Sequence, residues 1–158
     1  IDPALNSVVA QIEVEWGPQS FQEDKNGTVW LLSSAFIGPS YLSELDLAAE
    51  EVRKSVRLAD YARSLNINGA GDEFFYLSAP YGSDTEVYRH EIDAVEANTQ
   101  PIVSAPNLYG LGVHRVTGDL FLANHNGFQG NGTILVYNGS TLINSFAGGV
   151  GPSSFVFR

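Results

Sequence analysis

The sequence contains no cysteine and no methionine among its 158 residues. Without cysteine there can be no disulfide bonds and no thiolate chemistry. No apolar run is long enough to cross a membrane as a helix. Basic residues are scarce, 8 against 18 acidic ones, which gives a net charge of -10. Such a charge repels phosphate backbones, so we expect no nucleic acid among the partners.

What the sequence does contain is typical of a folded chain with many turns. Hydrophobic residues make up 44% of it, and there are 16 glycines and 7 prolines. Its length is enough for one domain with a core of its own. Because the first residue is not methionine, we expect the sequence to begin after processing or to be a piece of a longer protein.

An internal repeat runs through the chain. Glycines that precede strand-like runs stand at Gly27, Gly71 and Gly118, with separations of 44 and 47. A second marker, the Asp or Asn that ends another apolar run, keeps nearly the same period: Asp2, Asp46, Asp93 and Asn138. Each repeat holds four short runs of β-branched and aromatic residues divided by turn residues. Four strands in a repeat of this length form one blade of a β-propeller.

We therefore predict an all-β fold: a β-propeller segment of about three four-stranded antiparallel blades plus flanking strands. The chain, 1–158, forms a single segment of this kind. Its repeats cover about 17–60, 61–106 and 107–150, and 151–158 forms a closing inner strand.

The two ends and one helix-like run depend on this register. The phrase GPQSF at 17–21 returns as GPSSF at 151–155, so SSFVF at 153–157 is predicted to be an innermost strand. SVVAQIEV at 7–14 is predicted to be an outer strand of a preceding blade. Residues 48–58 are rich in helix-favouring Ala, Glu and Arg, but the repeat register predicts a strand there.

Two stretches resemble known propeller repeats. IDPALNSVVAQIEVEWGPQSF resembles the repeat of YVTN-type propellers, in which an Asp ends one strand and Gly-Pro opens the next blade. The region from Leu111 to Phe157 is similar to the last repeat of Bacteroidetes surface-layer-like or quinoprotein-like propellers. The resemblance implies export, a place at the cell surface or in the periplasm, and a lipid anchor in the outer membrane. It also implies nutrient capture with an outer-membrane partner protein.

Titratable residues show no spacing typical of a catalytic or metal site. His90, His114 and His125 lack a metal-binding spacing, and we interpret them as turn and surface residues. The acidic cluster could bind calcium but has no dedicated loop, and we interpret it as solvated strand edges and turns. Its members are Glu44, Asp46, Glu50, Glu51, Asp72 and Glu73. No nucleophile elbow occurs, and we predict no catalytic residue, no metal and no cofactor.

Aromatic residues recur in two sets of loops that a four-stranded blade brings to the same end. One set is Phe36, Tyr81 and Phe128, and the other is Trp16, Tyr61 and Tyr109. The spacings are 45 and 47 in the first set and 45 and 48 in the second. Together with His125, these six residues are the predicted ligand-binding residues, a stacking surface for a flat or sugar-like ligand. The alternative is that the rings clamp neighbouring loops.

The function that these patterns favour is that of an exported, non-enzymatic module. It would bind a small molecule, a glycan or a protein partner on its loop face. One alternative is a quinoprotein-like oxidoreductase or a lactonase-type propeller enzyme, with its site largely in blades outside this sequence. Another is a structural surface-layer module. Three blades expose two blade faces, so we expect them to be covered by further propeller blades or by a second copy of the chain.

Overall fold

The computed structural model describes residue 4 and residues 6–35 and 38–157. This part of the chain contains twelve β-strands and one 3-10 turn, at Asn126–Phe128. The strands are β1 Pro18–Glu23, β2 Val29–Ser34, β3 Ser40–Asp46, β4 Glu51–Leu58, β5 Ala62–Ile67, β6 Glu73–Ser78, β7 Thr85–Glu91, β8 Val103–Ala105, β9 Leu108–Val113, β10 Leu120–Asn124, β11 Asn131–Asn138 and β12 Thr141–Val150. Across these ranges, no helix has the length and apolar character needed to span a membrane.

The strands form three separate four-stranded sheets, each with its strands in chain order. The first sheet is β1 to β4, the second β5 to β8 and the third β9 to β12. Every neighbouring pair is antiparallel. The prediction of three four-stranded antiparallel units is confirmed, and the sheets are not closed into a ring.

Most of the helix-like run forms the strand that the repeat predicts: β4 covers Glu51–Leu58, whereas residues 48–50 lie in the turn before it. In β4, Val56 and Leu58 are buried, whereas Glu51, Arg53, Ser55 and Arg57 are exposed. This alternation has the period of two that a strand needs and a helix does not. The apolar side of β4 packs against the second sheet, and this packing overrides the helix propensity of the segment.

Neither of the two predicted flanking strands is a regular strand in the described structure. Residues 8–14 have no strand conformation, although Ser7 makes an isolated bridge. Residues 153–157 have no strand conformation either. A strand needs a neighbouring strand that accepts and donates its backbone hydrogen bonds. The middle strands of the three described sheets already have two neighbours each, so none of them can pair with either segment.

The segment 153–157 nevertheless lies against the third sheet. The ring centroid of Phe121 in β10 lies 5.9 Å from the ring centroid of Phe155 and 5.1 Å from that of Phe157. Two glycines in β9 make this close approach possible. A Cβ on Gly110 would lie 2.3 Å from the Ser153 carbonyl oxygen, and one on Gly112 would lie 2.8 Å from the Phe155 Cβ.

Gly110→Ala therefore tests whether this packing stabilises the fold. We expect the free energy of unfolding to fall by about 2 kcal/mol, because an added methyl group must push the segment off β9. The control is Gly149→Ala in β12, where a Cβ would meet no atom within 4 Å and should change stability by less than about 0.5 kcal/mol. Urea unfolding measures the free energy of unfolding of both variants. Equal losses would show that the packing of the segment on β9 does not stabilise the fold.

The core lies between the sheets. One side of β6 places Phe74 and Tyr76 against Trp30 and Leu32 of the first sheet. The other side of β6 places Phe75 and Leu77 against a cluster that includes Leu122 of the third sheet. The middle sheet is therefore buried on both sides, which explains why EFFYLS at β6 reads as a continuous apolar run rather than an alternating one.

The same backbone conformation recurs just before each sheet begins, and once more after β12. Residues in the left-handed conformation stand at Gly17, Tyr61, Asn107 and Gly151, with φ of 79°, 56°, 59° and 58°. The carbonyls of the first three accept backbone hydrogen bonds from Ser34, Ala79 and His125, at the ends of the second strands. This end of the sheets, where first strands begin and second strands end, is called the loop face below.

The histidines differ in their surroundings, and the interpretation as turn and surface residues is wrong for His90. His90 is completely buried in β7, on the same side of that strand as Tyr88. His114 does lie in a turn, where its Nδ1 accepts a hydrogen bond from the Thr117 amide at 3.1 Å. The equivalent turn of the first sheet is capped by Asp24, whose Oδ1 accepts from the Asn26 amide at 2.7 Å.

Candidate ligand-binding site on the loop face

A groove of about 880 Å³ opens at the loop face between the first and second sheets. Three of the predicted aromatic residues line it: Trp16, Tyr61 and Tyr81. Its floor is made by small residues at the strand ends, among them Ser34 and Ala79. The exposed lining is mainly apolar, and such a groove can hold the flat face of a ligand ring.

The rings on this face remain accessible to solvent. The exposed fractions are 74% for Trp16, 101% for Tyr81, 40% for Tyr109 and 54% for Phe128. Tyr61 is half-buried. Rings that only clamp one blade to the next would instead be covered on both sides, as Tyr76 is in the core.

A second group of aromatic side chains lies at the loop face of the third sheet. His125 and Phe128 stack with ring centroids 3.9 Å apart and an interplanar angle of 16°. Tyr109 meets both rings edge-on, at 5.8 Å from His125 and 5.4 Å from Phe128. His125 Nδ1 is buried and has no hydrogen-bond partner among the described residues. These three residues form the His-Phe-Tyr cluster.

Arg63 connects the groove to the His-Phe-Tyr cluster. It lines the groove, and its Cζ lies 5.1 Å from the centre of the Tyr109 ring, a cation–π arrangement. Its Nη2 donates a hydrogen bond to the Leu108 carbonyl at 2.8 Å. Burial lowers the pKa of Arg63, and Tyr109 partly offsets this effect.

Sequence reasoning missed Arg63. Once the left-handed residues are aligned, Gln19, Arg63 and Tyr109 occupy the same position, two residues after Gly17, Tyr61 and Asn107 respectively. This alignment requires the backbone angles, so nothing in the sequence alone singles out Arg63.

Trp16, Tyr61 and Tyr109 have similar spacings along the sequence, but they do not occupy equivalent positions in their repeats. Trp16 precedes the left-handed residue of its repeat, Tyr61 is that residue, and Tyr109 follows it by two. The loops differ in length, so similar separations place the rings at different points around the loop face. Phe36 lies outside the described residues.

The backbone is strained at two of the aromatic residues. Tyr61 has φ of 56° and Phe128 has φ of 60°, a region that bulky side chains rarely occupy. Phe128 ends a run of three left-handed residues that begins with Asn126. Such conformations cost about 1–3 kcal/mol each and concentrate at binding and active sites.

The acidic cluster predicted from the sequence lies away from this face, on strand edges and turns. Arg53 pairs with Asp46 and also with Glu44 at 3.7 Å. Lys25 pairs with Asp72 at 3.6 Å, and Arg89 with Glu73 at 3.4 Å. Glu50 and Glu51 are exposed. Within the described ranges, no three His, Asp or Glu side chains converge as metal ligands would.

No protein-family model and no curated protein match this sequence. Solved structures do match its fold. A quinoprotein alcohol dehydrogenase-like protein from Bacteroides thetaiotaomicron gives a TM-score of 0.61 at 14% identity, covering 82% of this chain and 33% of its own. The β-propeller domain of the Trilobed protease from Pyrococcus furiosus gives 0.59 at 11%, covering 83% and 42%.

A third match is the acylaminoacyl peptidase of Pyrococcus horikoshii, with a TM-score of 0.63 at 11% identity, covering 86% of this chain and 27% of its own. The chain is a β-propeller segment. It spans less than half the length of each of these three proteins. At these identities the similarity concerns the fold alone, because propellers carry many unrelated functions.

Proposed function

We propose that this propeller segment is an exported, non-enzymatic binding module that holds a planar or saccharide ligand in the groove of its loop face. The observation that carries the proposal is the groove of about 880 Å³ lined by Trp16, Tyr61 and Tyr81. Flat rings stack on sugars and on other rings, and each such contact contributes about 1 kcal/mol beyond the area it buries.

The strain at Tyr61 supports the same function. The equivalent positions in the first and third repeats hold Gly17 and Asn107, and both residue types adopt a left-handed backbone more readily than tyrosine does. A left-handed backbone at Tyr61 lowers the stability of the fold, and the side chain of Tyr61 lines the groove. The folded state therefore gains little from this ring, whereas a stacked ligand would gain a contact.

The proposal is tested with p-nitrophenyl β-glucoside, a neutral probe that carries both a flat ring and a sugar. In ligand-observed saturation-transfer NMR, we expect the chain to transfer saturation to the probe. The double variant Trp16→Ala/Tyr81→Ala should lose that transfer while its melting temperature stays within about 3 °C, because both rings are exposed. No transfer from the unaltered chain, or equal transfer from the double variant, would refute the proposal.

We further propose that the module acts within a larger or paired propeller, anchored by lipid at the cell surface and facing an outer-membrane partner. The open arrangement of the sheets and the exposed apolar residues of the last strand support the larger or paired propeller, whereas the lipid anchor and the outer-membrane partner rest on the resemblance of the sequence alone. In β12, Leu142, Ile143 and Phe146 are 50%, 53% and 48% exposed.

We therefore expect the isolated chain to self-associate. Light scattering at micromolar concentration should give a mass above the 17.1 kDa of one chain. The variant Ile143→Lys/Phe146→Lys should reduce that mass, because charges on an edge strand oppose pairing. A stable monomer with a sharp, cooperative melt would refute this part of the proposal.

A further inference from the structure

Among the described residues that line the groove, only Arg63 carries a charged side chain. The chain carries 18 acidic residues, yet none in the described ranges forms an ion pair with Arg63. Other arginines do have such partners: Arg53, Arg57 and Arg89 each lie within 4 Å of a carboxylate oxygen. The half-buried guanidinium of Arg63 is therefore not neutralised by any described carboxylate.

The contacts of Arg63 hold the guanidinium in place but leave donors unused. One hydrogen bond, from Nη2 to the Leu108 carbonyl, and the ring of Tyr109 fix its position from the third sheet. Its Nε is buried and has no hydrogen-bond partner among the described residues. A guanidinium has five N–H groups in a planar fork, which fits a carboxylate through two parallel hydrogen bonds.

An unpaired, half-buried cation costs free energy in the empty protein. A bound anion would recover part of that cost by pairing with N–H groups of the guanidinium that the Leu108 carbonyl leaves unused. The anion must also enter a chain whose net charge is -10, which favours a single negative charge over a doubly charged group. The aromatic side chains that line the groove beside Arg63 favour a ligand that also carries a planar ring.

We propose that the ligand of the groove is a planar carboxylate, with its ring among Trp16, Tyr61 and Tyr81 and its carboxylate paired with Arg63. This inference rests on the proposed function, and it names the chemical class of the ligand. The sequence alone does not show this class, because the pairing depends on where the groove places Arg63.

Three probes that share one phenyl ring separate the possibilities: benzoate, benzamide and phenyl phosphate. Their binding is followed through the indole N–H signal of Trp16 and the Nε–H signal of Arg63 in a nitrogen-15-labelled chain. We expect benzoate to bind at least about tenfold more tightly than benzamide, since a hydrogen bond to a charged group contributes that much. We also expect it to bind more tightly than phenyl phosphate.

Arg63→Gln should weaken benzoate binding at least about tenfold and leave benzamide binding unchanged. Arg63→Lys should lie between the two, because it keeps the charge and loses the fork. The control is Arg115→Gln, an exposed arginine that lines a separate cavity near Gly69, and it should bind benzoate normally.

The outcomes distinguish this inference from the proposed function. Equal binding of benzoate and benzamide with a shift at Trp16 would overturn the carboxylate assignment and leave the groove as a binding site. Tighter binding of phenyl phosphate would overturn it as well. Failure of all three probes to bind would overturn the carboxylate assignment, whereas the proposed function is decided separately by p-nitrophenyl β-glucoside. If Arg63→Gln does not fold, the comparison of benzoate with benzamide on the unaltered chain still decides.

Discussion

Asp24→Ala is expected to lower the free energy of unfolding by about 3 kcal/mol, because it leaves one buried donor and two partly buried amides without their acceptor. Asp24 is buried, and its Oδ2 accepts a hydrogen bond from Trp30 Nε1 at 3.0 Å. Its Oδ1 accepts from the amides of Asn26 at 2.7 Å and Thr28 at 3.0 Å. Removing the carboxylate leaves the indole N–H without a partner at the start of the core between the first two sheets.

Chemical unfolding at neutral pH measures this effect. Asp24→Asn should cost less than Asp24→Ala, because it keeps one acceptor for the turn amides. The control Asp84→Ala removes an exposed carboxylate and should change stability by less than about 0.5 kcal/mol. If Asp24→Ala and Asp84→Ala cost the same, the turn does not stabilise the core.

The second large effect is a loss of stability in mild acid caused by His90. Burial, and secondly the positive charge of Lys54, lower the pKa of His90 to about 4 from its usual 6.5. The unfolded chain therefore takes up a proton as the pH falls through 6.5, while the folded chain does not until about 4. Between these values the free energy of unfolding should fall by up to about 3 kcal/mol, and above pH 6.5 it should not change.

His90→Leu should abolish this slope, since an apolar side chain of similar size takes no proton. The matched control is His114→Gln, which alters an exposed turn and should keep the slope. Thermal melts at closely spaced pH values measure both. Asp24 acts in a different pH range. Burial by itself would raise the pKa of Asp24, but the hydrogen bonds that its carboxylate accepts lower it overall. Its contribution to the free energy of unfolding is therefore lost only below about pH 4. An unchanged slope in His90→Leu would show that another group is responsible.

The sheets could be predicted because their signals are local and repeated. Turn glycines such as Gly27 and Gly118 have left-handed backbones, with φ of 78° and 74°, and they mark where each first strand ends. The run at Glu51–Leu58 was predicted against its propensity, because register decides which side of a strand is buried. The flanking segments have no strand conformation because a strand depends on a neighbouring strand, and no described strand pairs with either segment.

The candidate site could be predicted only in part. The aromatic residues were found by their spacing, but their arrangement depends on loops that differ in length between repeats. The role of Arg63 depends on a carbonyl and a ring that belong to the next sheet, Leu108 and Tyr109, and no local pattern encodes that contact. His90 was missed although its alternation with Tyr88 placed both on the same buried side of β7.

The central claim, that the rings of the loop face bind a ligand rather than hold the fold together, is tested most directly by Tyr61→Gly. The substitution removes a groove ring and relieves a left-handed backbone, so the two roles predict opposite results. Affinity for p-nitrophenyl β-glucoside and urea stability are measured on the same sample. We predict at least about a tenfold loss of affinity, with stability unchanged or up to about 1 kcal/mol higher. Intact affinity together with a stability loss of several kcal/mol would show that the ring is structural and would contradict the claim.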